Sequence, residues 1–403
     1  MDCEKNHLND VMTSVLFFAE VVIANSFNHP MPIKISQHFD GGAIVVLRAD
    51  QPQQIELNIR SDSHADFTQW FYFRLQGARG EACNISLMNA GQATYTNGWK
   101  DYQAVASYDR ETWFRVPTTY DGQVLRISHK PECDSVYYAY FEPYTWERHL
   151  GLLGRAGQSS RVAIEDLGNT VDGRDLNLMV IGNPSAAKKV WVIARQHPGE
   201  TMAEWFVEGM VDALLDEANP IATQVLQNTV FYVVPNMNPD GAARGNLRTN
   251  AAGANLNREW MTPSLETSPE VFLVKNKMHV IGCDLFLDVH GDEALPYNFV
   301  AGSEMLDGFT AEQAVEQNKF IANFESASPD FQSKYGYHAG KYSADVLKLA
   351  SKYVGHTFQC LSLTLELPFK DNANLPNAQT GWNGARSARL GAAILQPILK
   401  AFE

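Results

Sequence analysis

Four short apolar stretches of this 403-residue chain each end on a cluster of polar, chemistry-bearing residues. The run at 190–194 leads into Arg195-Gln196-His197-Pro198-Gly199-Glu200, and the run at 230–234 into Pro235-Asn236-Met237-Asn238-Pro239-Asp240-Gly241. The run at 285–289, which carries Asp288, leads into His290-Gly291-Asp292, and 361–365 leads into Glu366. Runs of this length, rich in β-branched and aromatic residues, read as strands buried on both faces. An open α/β sheet binds its ligands beyond the carboxyl ends of its strands. Two histidines and two glutamates delivered to one such edge predict a metal-dependent hydrolase.

The region 31–150 has a different grain. Ile55, Leu57 and Ile59 alternate with polar residues, as do Val136, Tyr138 and Tyr140, while Phe71, Phe73 and Leu75 alternate with Trp70, Tyr72 and Arg74. Asp121-Gly122 between 113–116 and 124–127 is a hairpin signal. Many short strands at this spacing predict an antiparallel β-sandwich, its alternating aromatics serving as core. Residues 151–160, rich in Gly and Ser, read as a linker. From 161 to 403 strands alternate with helices, so the expected fold is an α/β domain with a mixed, mostly parallel sheet and helices on both faces. Met202, Trp205, Phe206, Met210, Ala213 and Leu214 make one apolar stripe of a helix over 200–217. A terminal helix is expected over 387–402, bent at Pro397. Residues 1–30 read as an extension outside either core.

Hydrophobic residues at 45% and charged residues at 19% are ordinary globular values. A formal net charge of −14 disfavours nucleic acid and anionic membranes as partners. Five scattered cysteines without a Cys-x-x-Cys pair imply neither a disulfide framework nor a thiolate zinc site, and point to a reducing, cytoplasmic setting. The apolar stretch at 11–24 is short against the roughly 20 residues of a membrane helix. Asp2, Glu4 and Asp10 stand where a signal peptide would carry bases.

His197-x-x-Glu200 at a strand-to-helix corner aims an imidazole and a carboxylate at one point. Zinc takes both donor types, and catalytic sites use three protein ligands with one position left open. The same tetrapeptide, with Pro198 at its second position, also resembles an ordinary helix start. His290 decides for the metal: it too ends a buried strand, Asp288 shares its face and Gly291 opens space beside it.

On these residues the chain resembles the zinc carboxypeptidase family, most closely its cytosolic-carboxypeptidase branch of bacterial type. The matching pieces, in the family's order, are His197-Pro198-Gly199-Glu200, Asn238-Pro239-Asp240-Gly241, Gly245-Asn246-Leu247-Arg248, Asn255-Leu256-Asn257-Arg258, Asp288-Val289-His290-Gly291 and Thr364-Leu365-Glu366. The resemblance implies one zinc ion on His197, Glu200 and His290. It implies Glu366 as general base, Arg248 polarising the scissile carbonyl, and Asn257 with Arg258 gripping the carboxylate of a peptide or protein C-terminus. It further implies a preference for terminal glutamate, for which Lys370 and Arg244 are the candidate cations. Asn255 departs from the aspartate common at that position, and an amide there accepts an imidazole N–H without a full charge. The pancreatic branch sets a tyrosine over the substrate; Tyr335, Tyr337, Tyr342 and Tyr353 are all candidates. Two rival readings are an aspartoacylase-like zinc amidohydrolase and an inactive member that only binds peptide carboxylates.

Overall fold

The computed structural model describes residues 32–337 and 345–403. Among them, ten strands form the first half of the fold. They are β1 (Lys34–Ser36), β2 (Val45–Gln51), β3 (Gln54–Asn58), β4 (Tyr72–Gln76) and β5 (Cys83–Leu87), then β6 (Ala104–Ser107), β7 (Trp113–Val116), β8 (Thr118–Tyr120), β9 (Leu125–His129) and β10 (Ser135–Ala139). They build two five-stranded sheets, ordered β1-β4-β10-β6-β7 and β2-β3-β5-β9-β8. The sandwich is not wholly antiparallel, because β3 pairs β5 in parallel. The hairpin at Asp121-Gly122 joins β8 to β9, with Tyr120 opposite Leu125, whereas β7 pairs β6 in the other sheet. The chain changes sheets at Pro117, a residue that cannot donate to a ladder.

The second half is a seven-stranded sheet, with strands β11 (Val162–Asn169), β12 (Asp175–Ile181), β13 (Lys188–Ala194), β14 (Thr229–Val234), β15 (Leu285–Asp292), β16 (Phe299–Ala301) and β17 (Leu361–Pro368). Their order is β11-β12-β14-β13-β15-β17-β16. The four central strands are mutually parallel, but β11, β12 and β16 join antiparallel. The sheet is mixed with a parallel centre, as expected, and only β12 and β16 run against the central strands. A hairpin joins β11 to β12 at one edge, whereas at the other edge β17 returns beside β16 only after a long connection that carries the helices Ala311–Ala327 and Ala350–Phe358.

Alternation along β13 divides the core. Val190, Val192 and Ala194 pack into a cluster continuous with the sandwich interior, while Trp191 and Ile193 enter a second cluster on the opposite face. Tyr140 of the sandwich stacks on Phe369 just beyond β17, with ring centroids 4.5 Å apart. Arg115 donates to the carbonyls of Phe369, Lys370 and Trp382 at 2.9, 3.1 and 3.0 Å. The two halves thus share one core.

The expected linker at 151–160 is largely helix, running Trp146–Ala156. Gly151 and Gly154 disfavour a helix locally, but His149, Leu152, Leu153 and Ala156 form a buried stripe that overrides the propensity. Arg148 and Arg155 also pair with Glu208 at 3.0 and 2.7 Å, tying this helix to the helix Met202–Leu215. The terminal helix is two pieces, Gly384–Ala393 and Leu395–Ala401, broken at Ile394 ahead of Pro397.

Glu270, at the start of the helix Pro269–Ile281, is wholly buried. Burial pushes its carboxyl up to about 7, against the bonds from its own backbone N–H and from Asn250 Nδ2. Its folded pKa exceeds the ordinary 4.5. Its contribution to stability is therefore full below that value and is lost as pH rises through 7. Glu270→Gln is expected to match the wild type near pH 5 and to exceed it by on the order of 2–3 kcal/mol at pH 9. Urea unfolding at the two pH values measures this, and a pH-independent difference contradicts it.

Candidate metal centre and substrate cleft

At the end of β13 the backbone of Arg195 turns left-handed, with φ of 62°. Its buried guanidinium fixes that corner, donating from Nε to Pro198 O at 2.9 Å and from Nη1 to Tyr144 O and Glu204 Oε2, each at 2.7 Å. The corner carries His197 and Glu200. The parallel register sets Ile193 beside Asp288 and His290 beside Glu366. Three neighbouring strands thus bring their polar ends to one place.

His197, Glu200 and His290 are all buried, and their donor atoms lie within 4.8 Å of one another. His197 Nδ1 is 2.7 Å from Glu200 Oε1, His290 Nδ1 is 2.8 Å from Glu200 Oε2, and the two Nδ1 atoms are 3.1 Å apart. Each imidazole gives its other nitrogen to an acceptor: His197 Nε2 faces Asn255 Oδ1 at 3.1 Å and His290 Nε2 faces Asp288 Oδ2 at 2.9 Å. These partners hold both rings with Nδ1 turned to the cluster, the arrangement that orients metal-bound histidines. Two nitrogens and a carboxylate are a donor set that zinc accepts. Gly291 leaves room for these side chains, since a Cβ would stand 2.6 Å from Met202 Sδ, 3.1 Å from Phe369 Cε2 and 3.3 Å from Glu200 Cγ. Burial, reinforced by Arg248, pushes His197 down to about 3 and keeps it neutral, the form in which histidine binds metal.

A cleft of about 370 Å³ opens over this cluster and includes Arg248, Asn257, Arg258, Tyr337 and Glu366 in its walls. Burial, with the charges of Glu200 and Asp292, pushes Glu366 up to about 8, although His290 and a bond from Tyr337 work the other way. The Tyr337 hydroxyl lies 3.0 Å from Glu366 Oε1 and 2.8 Å from Asp292 Oδ2. The Asn257 amide accepts from Ala350 N at 2.8 Å and sets Nδ2 3.2 Å from His290 Nε2. Arg258 donates to the Asn257 carbonyl at 2.6 Å.

The two expected specificity cations are engaged elsewhere. Arg244 pairs with Asp172 at 2.7 Å on the surface. Lys370 is buried behind the cleft wall, its Nζ on the carbonyls of Ala294 and Asn97 at 3.2 and 3.4 Å. Of the candidate tyrosines, Tyr335 stacks on Tyr297, Tyr353 bonds His279 and packs on Trp260, and Tyr342 lies outside the described residues. Tyr337 is the candidate found in the cleft. Sequence reasoning missed the sandwich's share of the wall, contributed by Tyr95 and Asn97, and missed Glu293 opposite. Its one available signal was the acidic run Asp292-Glu293 after His290.

Residues 155–380, more than half of the chain, match the sequence pattern described as zinc carboxypeptidase. The chain belongs to the zinc carboxypeptidase family. Residues 35–141 match the cytosolic carboxypeptidase N-terminal domain. An uncharacterized protein of Zymomonas mobilis is 42% identical over 361 residues, spanning 90% of this chain and 94% of that protein. Human cytosolic carboxypeptidase 2 is 31% identical over 274 residues, which are 59% of this chain but only 30% of the human protein. Among solved structures, a metallo-carboxypeptidase from Burkholderia cenocepacia superimposes with a TM-score of 0.90 at 56% identity, covering 92% of this chain and 99% of that one. A metallo-carboxypeptidase from Pseudomonas aeruginosa, in complex with (2-guanidinoethylmercapto)succinic acid, gives 0.88 at 45% identity, covering 91% and 98%. As a family member the protein is a zinc metallocarboxypeptidase acting on peptides. No helix among the described residues is long and apolar enough to cross a membrane.

Proposed function

We propose that the protein removes residues one at a time from the C-termini of peptides or proteins, using one zinc ion held by His197, Glu200 and His290. The observation that carries this reading is the meeting of that donor cluster with Glu366, Arg248 and Arg258 in a single cleft. Zinc, when bound, supplies a Lewis acid that makes water nucleophilic at neutral pH. Glu366 takes the proton as the water oxygen bonds to the scissile carbon, then gives it to the amine nitrogen as the C–N bond breaks. Arg248 donates to the carbonyl oxygen where negative charge develops. Arg258, with Asn257 beside it, grips the terminal carboxylate through parallel N–H donors, and its bond to the Asn257 backbone carbonyl holds the guanidinium at the cleft. Tyr337 orients Glu366 and closes over the bound residue.

The likeness to cytosolic carboxypeptidases supports a cytoplasmic setting. A preference for terminal glutamate is supported by that likeness alone, because Lys370 and Arg244 are tied elsewhere. The Pseudomonas relative's ligand, (2-guanidinoethylmercapto)succinic acid, carries carboxylates as well as a guanidine, so it supports binding of a carboxylate but does not favour an acidic side chain.

Amidating the terminal carboxylate of a peptide is expected to lower kcat/KM by about 10- to 100-fold, the value of a charge-assisted pair left unmade. Parallel peptides ending in Glu, Gln, Lys and Phe rank the side-chain preference, and an N-acyl amino acid tests the amidohydrolase alternative. Equal cleavage of free and amidated peptides contradicts an exopeptidase.

A further inference from the structure

The loop that carries Arg248 is held from the other half of the molecule. Asp62, in the sandwich segment between β3 and β4, is buried against it. Its Oδ1 accepts from Leu247 N at 2.6 Å, and its Oδ2 from Arg248 N at 2.7 Å, Thr249 N at 2.9 Å and Thr249 Oγ1 at 3.1 Å. One carboxylate thereby fixes three consecutive backbone N–H groups, the middle one belonging to the arginine. Ser63 N adds a bond to Asn246 Oδ1 at 3.0 Å. Beyond the backbone, the guanidinium of Arg248 lies over the rings of Phe67 and Tyr95, 5.6 and 5.7 Å from their centroids. Both rings belong to the sandwich, and both distances are within cation–π range.

We infer that Asp62 is a positioning residue for Arg248, so that the sandwich is a working part of the active site rather than an appended domain. The inference rests on the role proposed above for Arg248. A long, flexible arginine aimed at a developing oxyanion must be held before the reaction, since such donors act only when no reorganisation is needed at the moment of charge build-up. The loop's carbonyls have anchors of their own, Leu247 O accepting from Gly199 N at 2.8 Å and Thr249 O from Asn246 Nδ2 at 3.0 Å, but these leave the N–H side, where the arginine's own amide lies, to the sandwich. The acceptor for all three of its N–H groups comes from Asp62, and the ring contacts come from Phe67 and Tyr95. Displacing a catalytic group by about 1 Å costs on the order of 100-fold in rate.

The test is a double-mutant cycle on the zinc-loaded enzyme, with kcat and KM measured on one free-acid peptide. In Asp62→Asn an amide N–H₂ replaces one of two acceptor oxygens and confronts a backbone N–H, so the loop shifts while volume is kept. Asp62→Asn is expected to lower kcat by about 10- to 100-fold, with KM, zinc content and melting temperature close to wild type. Added to Arg248→Ala, the same change should alter kcat by less than about twofold, because a residue acting only through the arginine has nothing left to position. Thr249→Val, which removes one hydroxyl donor, serves if Asp62→Asn does not fold. It should cost roughly two- to fivefold and again be silent in the Arg248→Ala background. A full, additive loss in that background, or an Asp62→Asn enzyme with wild-type kcat, overturns the inference and leaves the role of Arg248 standing. A wild-type kcat in Arg248→Ala overturns both.

Discussion

Replacing Glu366 by glutamine is expected to leave the fold and the zinc in place and to remove a factor of about 10²–10⁴ in turnover. The amide has nearly the same shape, and β17 holds the residue beside His290 by backbone register, which the substitution does not touch. The bond from the Tyr337 hydroxyl to Oε1 can persist with an amide oxygen. The basic lone pair is lost. Burial, Glu200 and Asp292 push the Glu366 carboxyl up to about 8, so it is a far stronger base than an ordinary carboxylate. A dication bound at the cluster works against that rise and keeps the carboxylate form available near neutral pH. Glutamine can accept no proton from water and has none of suitable acidity for the leaving amine. Steady-state kcat on a free-acid peptide, with metal analysis and a melting curve on the same sample, checks the prediction. Retention of more than roughly a tenth of wild-type turnover is too much for an enzyme that has lost its general base.

The features legible in the sequence were those that one short segment writes by itself. Three of the four strand ends carry an apolar run and site residues (His197 with Glu200, His290, and Glu366) in one short segment, so both the element and its cargo could be read. The register that places His290 beside Glu366 follows once the strands are parallel neighbours. The wiring between distant segments was hidden. The parallel pairing of β3 with β5 and the change of sheets at Pro117 depend on partners that no local alternation reveals. The helix Trp146–Ala156 contains two glycines, and only its stripe buried against the rest of the fold outweighs them. Lys370 looked well placed, four residues past Glu366, but β17 ends at Pro368 and the chain then carries the ammonium group behind the cleft wall. Asp62 had no signal at all. Its partners lie 185 to 187 residues away, and its segment shows neither period two nor a helical stripe.

His290→Ala is expected to lose the metal, whereas Asp288→Asn is expected only to weaken it. His290 presents Nδ1 to Glu200 Oε2 at 2.8 Å and closes a set of three donors that zinc normally requires in a catalytic site. Alanine leaves two, and no other His, Cys, Asp or Glu among the described residues joins this cluster as a replacement. Asp288 acts one step further out. Its Oδ2 holds His290 Nε2 at 2.9 Å and also accepts from Gln196 Nε2 at 2.8 Å, so an amide there keeps the ring oriented but removes the charge that raises its basicity. Loss of such an outer partner costs roughly 10- to 100-fold in metal affinity; loss of the ligand itself should cost considerably more. Dialysis against a graded zinc buffer, followed by metal analysis, separates the two. The wild type should hold one zinc per chain, Asp288→Asn should release it at a free-zinc level about one or two decades higher, and His290→Ala should stay empty throughout. Activity should follow occupancy in Asp288→Asn, regained on adding zinc, and should not return in His290→Ala. If the alanine variant binds zinc stoichiometrically at the wild-type level, His290 is not a ligand, and the cluster must be rebuilt around His197 and Glu200 with a donor from elsewhere.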